Sequence, residues 1–103
     1  MSQLTAVVTF EANDGREDEL AELLARMHEV AIEDDGCDLY SVLRVDDEPR
    51  SFVLVEYYRD GDALKTHQRN PELRRLGAAM GDLVASMSIR LGRCAAGDAA
   101  VRA

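Results

Sequence analysis

The chain has 103 residues, 12 of them basic and 20 acidic, for a formal charge of −8. That length suits one domain, 47% hydrophobic and 31% charged residues describe a globular rather than a disordered chain, and the net negative charge argues against nucleic acid or anionic lipid as a partner. Two cysteines (Cys37, Cys94) and two distant histidines (His28, His67) make no disulfide framework and no zinc spacing, and no run approaches the ~18 apolar residues of a membrane span.

Leu4 to Glu11 alternates Leu4, Ala6, Val8 and Phe10 onto one face and predicts a strand. Asn13-Asp14-Gly15 breaks it, and Asp14 with Glu17 resembles a capping box opening a helix from about Arg16 to Ile32. Leu20, Leu23, Leu24, Met27, Val30 and Ala31 form the apolar stripe of that helix, while Glu17, Asp18 and Glu19 crowd its start, where the helix dipole favours anions. Asp34-Asp35-Gly36 ends it. Leu39 to Val45 and Arg50 to Tyr58 predict a hairpin around the turn Asp46-Asp47-Glu48-Pro49. Asp62 is the expected cap of a short helix through about Gln68, and Asn70-Pro71 restarts a helix carrying Leu73, Leu76 and Met80. Ser86 to Arg93, with Met87, Ile89 and Leu91 on one face, predicts the last strand.

The order β-α-β-β-α-β, with the second helix in two pieces, predicts an α+β class protein: a ferredoxin-like split βαβ with a four-stranded antiparallel sheet and helices on one face. Residues 1–94 are expected to form that domain, and 95–103 a flexible tail. Met1-Ser2-Gln3-Leu4 carries no basic leader, so a cytoplasmic protein with reduced thiols is expected. The third strand is apolar on both faces, with Phe52 and Leu54 on one and Val53, Val55 and Tyr57 on the other. A solvated face should alternate to polar residues, so a second copy of the chain is the expected cover, giving a homodimer.

Several runs are similar to the antibiotic biosynthesis monooxygenase family. Gly36-Cys37-Asp38-Leu39-Tyr40-Ser41-Val42 resembles its second strand. Phe52-Val53-Leu54-Val55-Glu56-Tyr57-Tyr58-Arg59-Asp60 resembles the third, and Ala63-Leu64-Lys65-Thr66-His67 resembles the helix motif that follows, with Asn70-Pro71-Glu72-Leu73 after it. The resemblance implies a dimeric α+β barrel with a hydrophobic pocket between sheet and helices. Several members oxidise aromatic polyketides or quinols with O2 and no flavin, metal or haem. Others degrade haem or isomerise small sugar-derived signals, so fold alone does not set the chemistry. The chain has no Trp, which the aromatic oxygenases of the family often place near the pocket. The haem-degrading branch relies on an Asn on strand one, a Trp where His67 stands and a His ten residues on; Val8 and its neighbours, His67 and Gly77 keep none of these.

The expected function is therefore a cofactor-independent monooxygenase that oxidises a hydrophobic quinol, polyphenol or polyketide-like substrate with O2, using no cofactor and no metal. The alternatives are a non-oxidative isomerase on a small polar substrate, for which Arg44, Arg59, Lys65 and Arg69 are candidate cations, and a non-catalytic small-molecule-binding dimer. His67 is the candidate general base, because an imidazole titrates near neutral pH; otherwise it hydrogen-bonds at the helix break. Glu56 sits in an apolar strand, where a carboxylate is costly unless paired. It is the candidate partner of His67, or else a structural hydrogen-bond acceptor. Tyr40, Tyr57, Tyr58 and Phe52 are the candidate substrate-binding walls, although Tyr57 and Tyr58 must point to opposite faces. Cys37 reads as structural and His28 as an exposed helix-edge residue.

Overall fold

The computed structural model describes residues 3–96. In chain order these are β1 (Leu4–Ala12), α1 (Glu17–Ala31), β2 (Cys37–Arg44), β3 (Ser51–Tyr58), α2 (Gly61–Arg69), α3 (Pro71–Ala78) and β4 (Val84–Arg93). The four strands form one antiparallel sheet in the order β2-β3-β1-β4. This is the α+β, ferredoxin-like arrangement read from the sequence, with the second helix divided as expected. Most of the expected tail, residues 97–103, lies outside the described residues.

Alternation builds the core. Leu4, Ala6, Val8, Phe10 and Ala12 of β1 and Phe52, Leu54 and Tyr58 of β3 are buried on the helix side, against Leu20, Leu23 and Leu24 of α1 and Leu73 and Leu76 of α3. β2 begins with a bulge, and its register against β3 shifts between Cys37 and Leu39. Two successive residues, Cys37 and Asp38, are therefore buried where strict alternation would expose one. Asp38 is satisfied by Gln3, whose Nε2 donates to its Oδ2 at 2.9 Å.

The helix starts differ from expectation at two places. Asp14 makes no cap: Arg16 occupies the N-cap of α1 with no side-chain cap bond and instead pairs with Glu19 at 2.8 Å. The chain turns into α1 through Gly15, whose φ of +79° puts Arg16 rather than Asp14 at the helix start. At α2 the cap is Asp60, not Asp62; its side chain accepts from the Ala63 N–H at 2.9 Å. Asn70 does cap α3, accepting from the N–H groups of Glu72 and Leu73, with Pro71 in the first turn.

The face of the sheet away from the helices carries Val7, Leu39, Leu43, Val53, Val55 and Tyr57, as strand three's two-sided pattern predicted. Met87, Ile89 and Leu91 of β4 pair with Phe10, Val8 and Ala6 and so belong to the helix side, yet each is more than half exposed. β4 is an edge strand, and the helices lie over the β2–β3 side of the sheet.

The capping difference gives a direct check. Asp60→Ala should cost about 1 kcal/mol, or ~4–8 °C in Tm for a domain of this size. Asp14→Ala should change stability by less than about 0.5 kcal/mol. Thermal unfolding followed by circular dichroism reads both, and equal losses would contradict the assignment of the caps.

Candidate active site

Three elements and one loop carry ionisable and aromatic groups to a single place under α2. Period-two alternation along β3 puts Phe52, Leu54, Glu56 and Tyr58 all on the helix side. The β2–β3 register sets Tyr40 opposite Glu56, and Tyr58 lies opposite Leu4 of β1. α2 packs on β2 and β3 and delivers His67 in its last turn. The loop after α1 brings in Asp34, and Gly36 in that loop is constrained twice. Its φ is +94°, and a Cβ there would stand 2.7 Å from the Ala63 Cβ of α2. The Arg59 N–H donates to the Gly36 carbonyl at 2.7 Å, tying the loop to the end of β3.

His67 lies between two carboxyl groups. Its Nε2 is 3.7 Å from Glu56 Oε1, and its Nδ1 is 3.7 Å from Asp34 Oδ2. Both separations exceed a hydrogen bond. The Tyr58 hydroxyl donates to Glu56 Oε1. The His67 ring is tilted against Tyr58, centroids 5.0 Å apart, and against Tyr40 at 6.0 Å. Asp34 is held on its other oxygen, Oδ1, which accepts from Asn70 Nδ2 at 3.0 Å. Asp34 also borders a cleft of about 380 Å³ shared with Thr66, Arg69, Asn70 and Pro71.

Burial shifts the pKa values of the two central groups in opposite directions. It pushes the Glu56 carboxyl above its ordinary value, against the smaller opposing effect of the Tyr58 hydrogen bond. It pushes the His67 imidazole below its ordinary value, against Asp34, which favours the charged form. Burial thus disfavours the charged form of each group. Tyr58 and Tyr40 are both pushed up, first by burial and then by the Glu56 charge, and stay as phenols.

Of the residues expected to form the site, His67, Glu56, Tyr58 and Tyr40 are brought together. Tyr57 is not: it faces the open side of the sheet, in a groove of about 560 Å³ with Thr5, Val7 and Arg90. Phe52 is on the helix side but opposite Phe10 of β1, four residues along the strand from Glu56, with the Arg44 guanidinium 5.3 Å from its ring centroid. It is core at the other end of β3 rather than a wall beside His67. His28 is half-buried rather than exposed, its ring 6.0 Å from that of Tyr40. Asp34 is the member the sequence reading missed, because Asp34-Asp35-Gly36 reads as a helix stop. The candidate cations of the isomerase alternative are dispersed: Arg44 pairs with Asp18, Arg59 with Asp35, and Arg69 borders the cleft beside Asp34. Among the described residues no group of three His, Cys, Asp or Glu side chains is arranged to hold a metal ion, and no helix is long and apolar enough to cross a membrane.

The raised pKa of Glu56 has a consequence for stability. The folded state holds this proton more tightly than the unfolded chain, so its contribution is present below the ordinary 4.5 and lost as pH rises through the raised value. The lowered pKa of His67 acts with the opposite sign: its contribution is lost as pH falls below the ordinary 6.5. Comparing wild type with Glu56→Gln isolates the first effect, because both proteins keep His67 and glutamine still accepts from Tyr58. The variant should unfold at higher urea than wild type at pH 7.5, with the gap closing by pH 4. A variant weakened equally at both values would show that the ionised carboxylate is stabilised in the fold.

The family model described as antibiotic biosynthesis monooxygenase matches residues 3–79. No curated protein matches the chain. Among solved structures, PA3566 from Pseudomonas aeruginosa is similar at 23% identity and a TM-score of 0.88, over 93% of this chain and 97% of that one. SO0527 from Shewanella oneidensis is similar at 24% and 0.86, over 90% and 91%. SnoaB, a cofactor-independent oxygenase from Streptomyces nogalater, is similar at 20% and 0.85, over 94% and 97%. These likenesses show a shared fold, and the match over residues 3–79 shows the family: the chain belongs to the antibiotic biosynthesis monooxygenase family.

Proposed function

We propose that the protein is a cofactor-independent monooxygenase that oxidises a hydrophobic quinol, polyphenol or polyketide-like substrate with O2. The observation that carries the reading is the His67 imidazole set between the carboxyl groups of Asp34 and Glu56, with burial raising the Glu56 pKa and lowering that of His67. That is the property a proton-transfer pair needs near neutral pH. Family membership and the likeness to SnoaB support the class of chemistry.

In this reading His67 Nε2 takes a proton from the substrate's activated C–H or phenolic O–H, leaving an electron-rich anion. The anion passes one electron to O2, and the resulting radical and superoxide combine into a carbon-bound peroxide. Protonated His67 returns the proton, and loss of water from the peroxide leaves a carbonyl. One oxygen atom ends in the product and the other in water, so the substrate supplies every electron. Glu56 is the proton partner of His67, and Tyr58 and Tyr40 form the aromatic wall beside it.

One observation favours a second reading, a non-catalytic small-molecule-binding dimer: Glu56 already accepts from Tyr58, and both are buried. In either reading we place the protein in the cytoplasm as a homodimer joined through the open apolar face of the sheet. Light scattering at micromolar concentration should give twice the 11.4 kDa chain mass, and Val55→Asp should shift the protein toward monomer. A wild-type protein that stays monomeric would contradict the assignment of that face.

Oxygen uptake with a panel of quinols and anthrone-like compounds, with chelator present and no flavin added, tests the chemistry. His67→Ala should slow turnover by roughly 10²–10⁴-fold while costing only about 1 kcal/mol of stability. Equal uptake by wild type and variant would make His67 structural. No uptake by wild type with any compound would leave the binding reading in its place.

A further inference from the structure

We propose that Asp34 is the positioning residue of His67: its Oδ2 accepts the Nδ1 proton, fixing the Nδ1–H tautomer and leaving the Nε2 lone pair bare. The inference starts from two atoms. Asp34 Oδ2 and His67 Nδ1 are both buried, both lack a hydrogen-bond partner, and they face each other at 3.7 Å. A buried polar atom left unsatisfied costs about 1–3 kcal/mol. Direct contact satisfies both atoms at once, and a closure of about 0.8 Å brings them to an ordinary N–H···O distance.

The polarity of that contact is set by the groups. A carboxylate only accepts, so Nδ1 must carry the hydrogen. Asp34 is also held against turning away. Its Oδ1 accepts from Asn70 Nδ2 at 3.0 Å, and Asn70 is itself fixed by capping α3 with its own Oδ1. The loop behind Asp34 is clamped at Gly36, between the Arg59 N–H and Ala63 of α2. On the far side of the ring the other facing groups are Glu56 and Tyr58 of β3 and Tyr40 of β2. Glu56 Oε1 already accepts from Tyr58, whereas Asp34 Oδ2 has no partner other than the one facing it. Of the two ring nitrogens, Nδ1 is the buried one without a partner, and Asp34 Oδ2 is what it faces.

The role of Asp34 in turnover rests on the oxygenase reading; its effect on the ring does not. The test therefore reads both. Two-dimensional ¹H–¹⁵N spectra of the histidine rings at pH 7.5, on labelled full-length chain, report the His67 tautomer directly. Wild type and Asp34→Glu should show Nδ1–H. In Asp34→Asn the amide oxygen keeps the Asn70 bond, its NH2 faces Nδ1, and the ring should switch to Nε2–H. If Asp34→Asn does not fold, wild type and Asp34→Glu still decide. An Nε2–H ring in wild type, or a ring unmoved by Asp34→Asn, overturns the proposal. Under the oxygen-uptake assay Asp34→Asn should lower kcat by about 10²–10⁴-fold with little change in KM, and Asp34→Glu should recover most of it. An unchanged kcat beside a switched ring overturns the positioning role. No uptake by wild type removes the oxygenase reading alone, and the ring spectra still decide what Asp34 does.

Discussion

A carboxyl group on the inner face of an apolar strand is the constraint around which this end of the molecule is arranged. Glu56 stands between Leu54 and Tyr58 in the helix-facing row of β3, where an unpaired charge would be costly. Tyr58, two residues on and on the same face, donates a hydrogen bond to it; Tyr40 lies across from it on β2; and α2 closes over it with His67. Each neighbour then inherits part of the same problem. The imidazole brought in beside Glu56 is itself buried, and its other nitrogen meets Asp34. The result is a short line of ionisable groups, Glu56, His67 and Asp34, running from the sheet to the loop at the surface.

The split in the second helical segment follows from that line. A continuous helix would bury Asn70 in its backbone hydrogen bonding. The break frees Asn70 to cap α3 with its Oδ1 while its Nδ2 reaches Asp34. Pro71 suits the first turn of the new helix because it has no N–H to satisfy there. Gly36 serves the same geometry from the other side. Its positive φ and the approach of Ala63 allow the α1–β2 loop to lie against α2 closely enough for Asp34 to face His67. A side chain at Gly36 would separate the two and open the line at its outer end.

Much of this was legible in the sequence and some was not, for reasons that differ by residue. The strands, the apolar stripe of α1 and the Asn70-Pro71 restart are local patterns, and local patterns dictated them. Glu56 and His67 were legible as a pair through their family spacing, and alternation along β3 placed Tyr57 and Tyr58 on opposite faces. The expected caps at Asp14 and Asp62 failed because the backbone decides which residue sits at each helix start: after Gly15 it is Arg16, which makes no side-chain cap, and at α2 it is Asp60. Phe52 shares a face with Glu56, but the register puts it beside Phe10, and register is a property of two strands. Asp34 was hidden because its partners, His67 and Asn70, are more than thirty residues away, and Asp-Asp-Gly after a helix is a sufficient stop signal by itself.

The two faces of the sheet divide the remaining labour unequally. The helix side holds the Glu56–His67–Asp34 line, while the open side holds valines, leucines and Tyr57 around Arg90. Charge on the open face would oppose association and apolar area there would favour it, and the residues of β3 that set this alternate with those that build the site. Val53, Val55 and Tyr57 are thus free to change for packing against another surface without touching Glu56 or Tyr58. The coupling between them is the strand itself. A one-residue slip of β3 against both its neighbours would turn Glu56 outward and a valine inward, removing the proton-handling line and the apolar face in the same step. The bulge at Cys37–Asp38 sits at the end of β2 where that register is set, and Gln3 holding Asp38 fixes it from β1's side of the sheet.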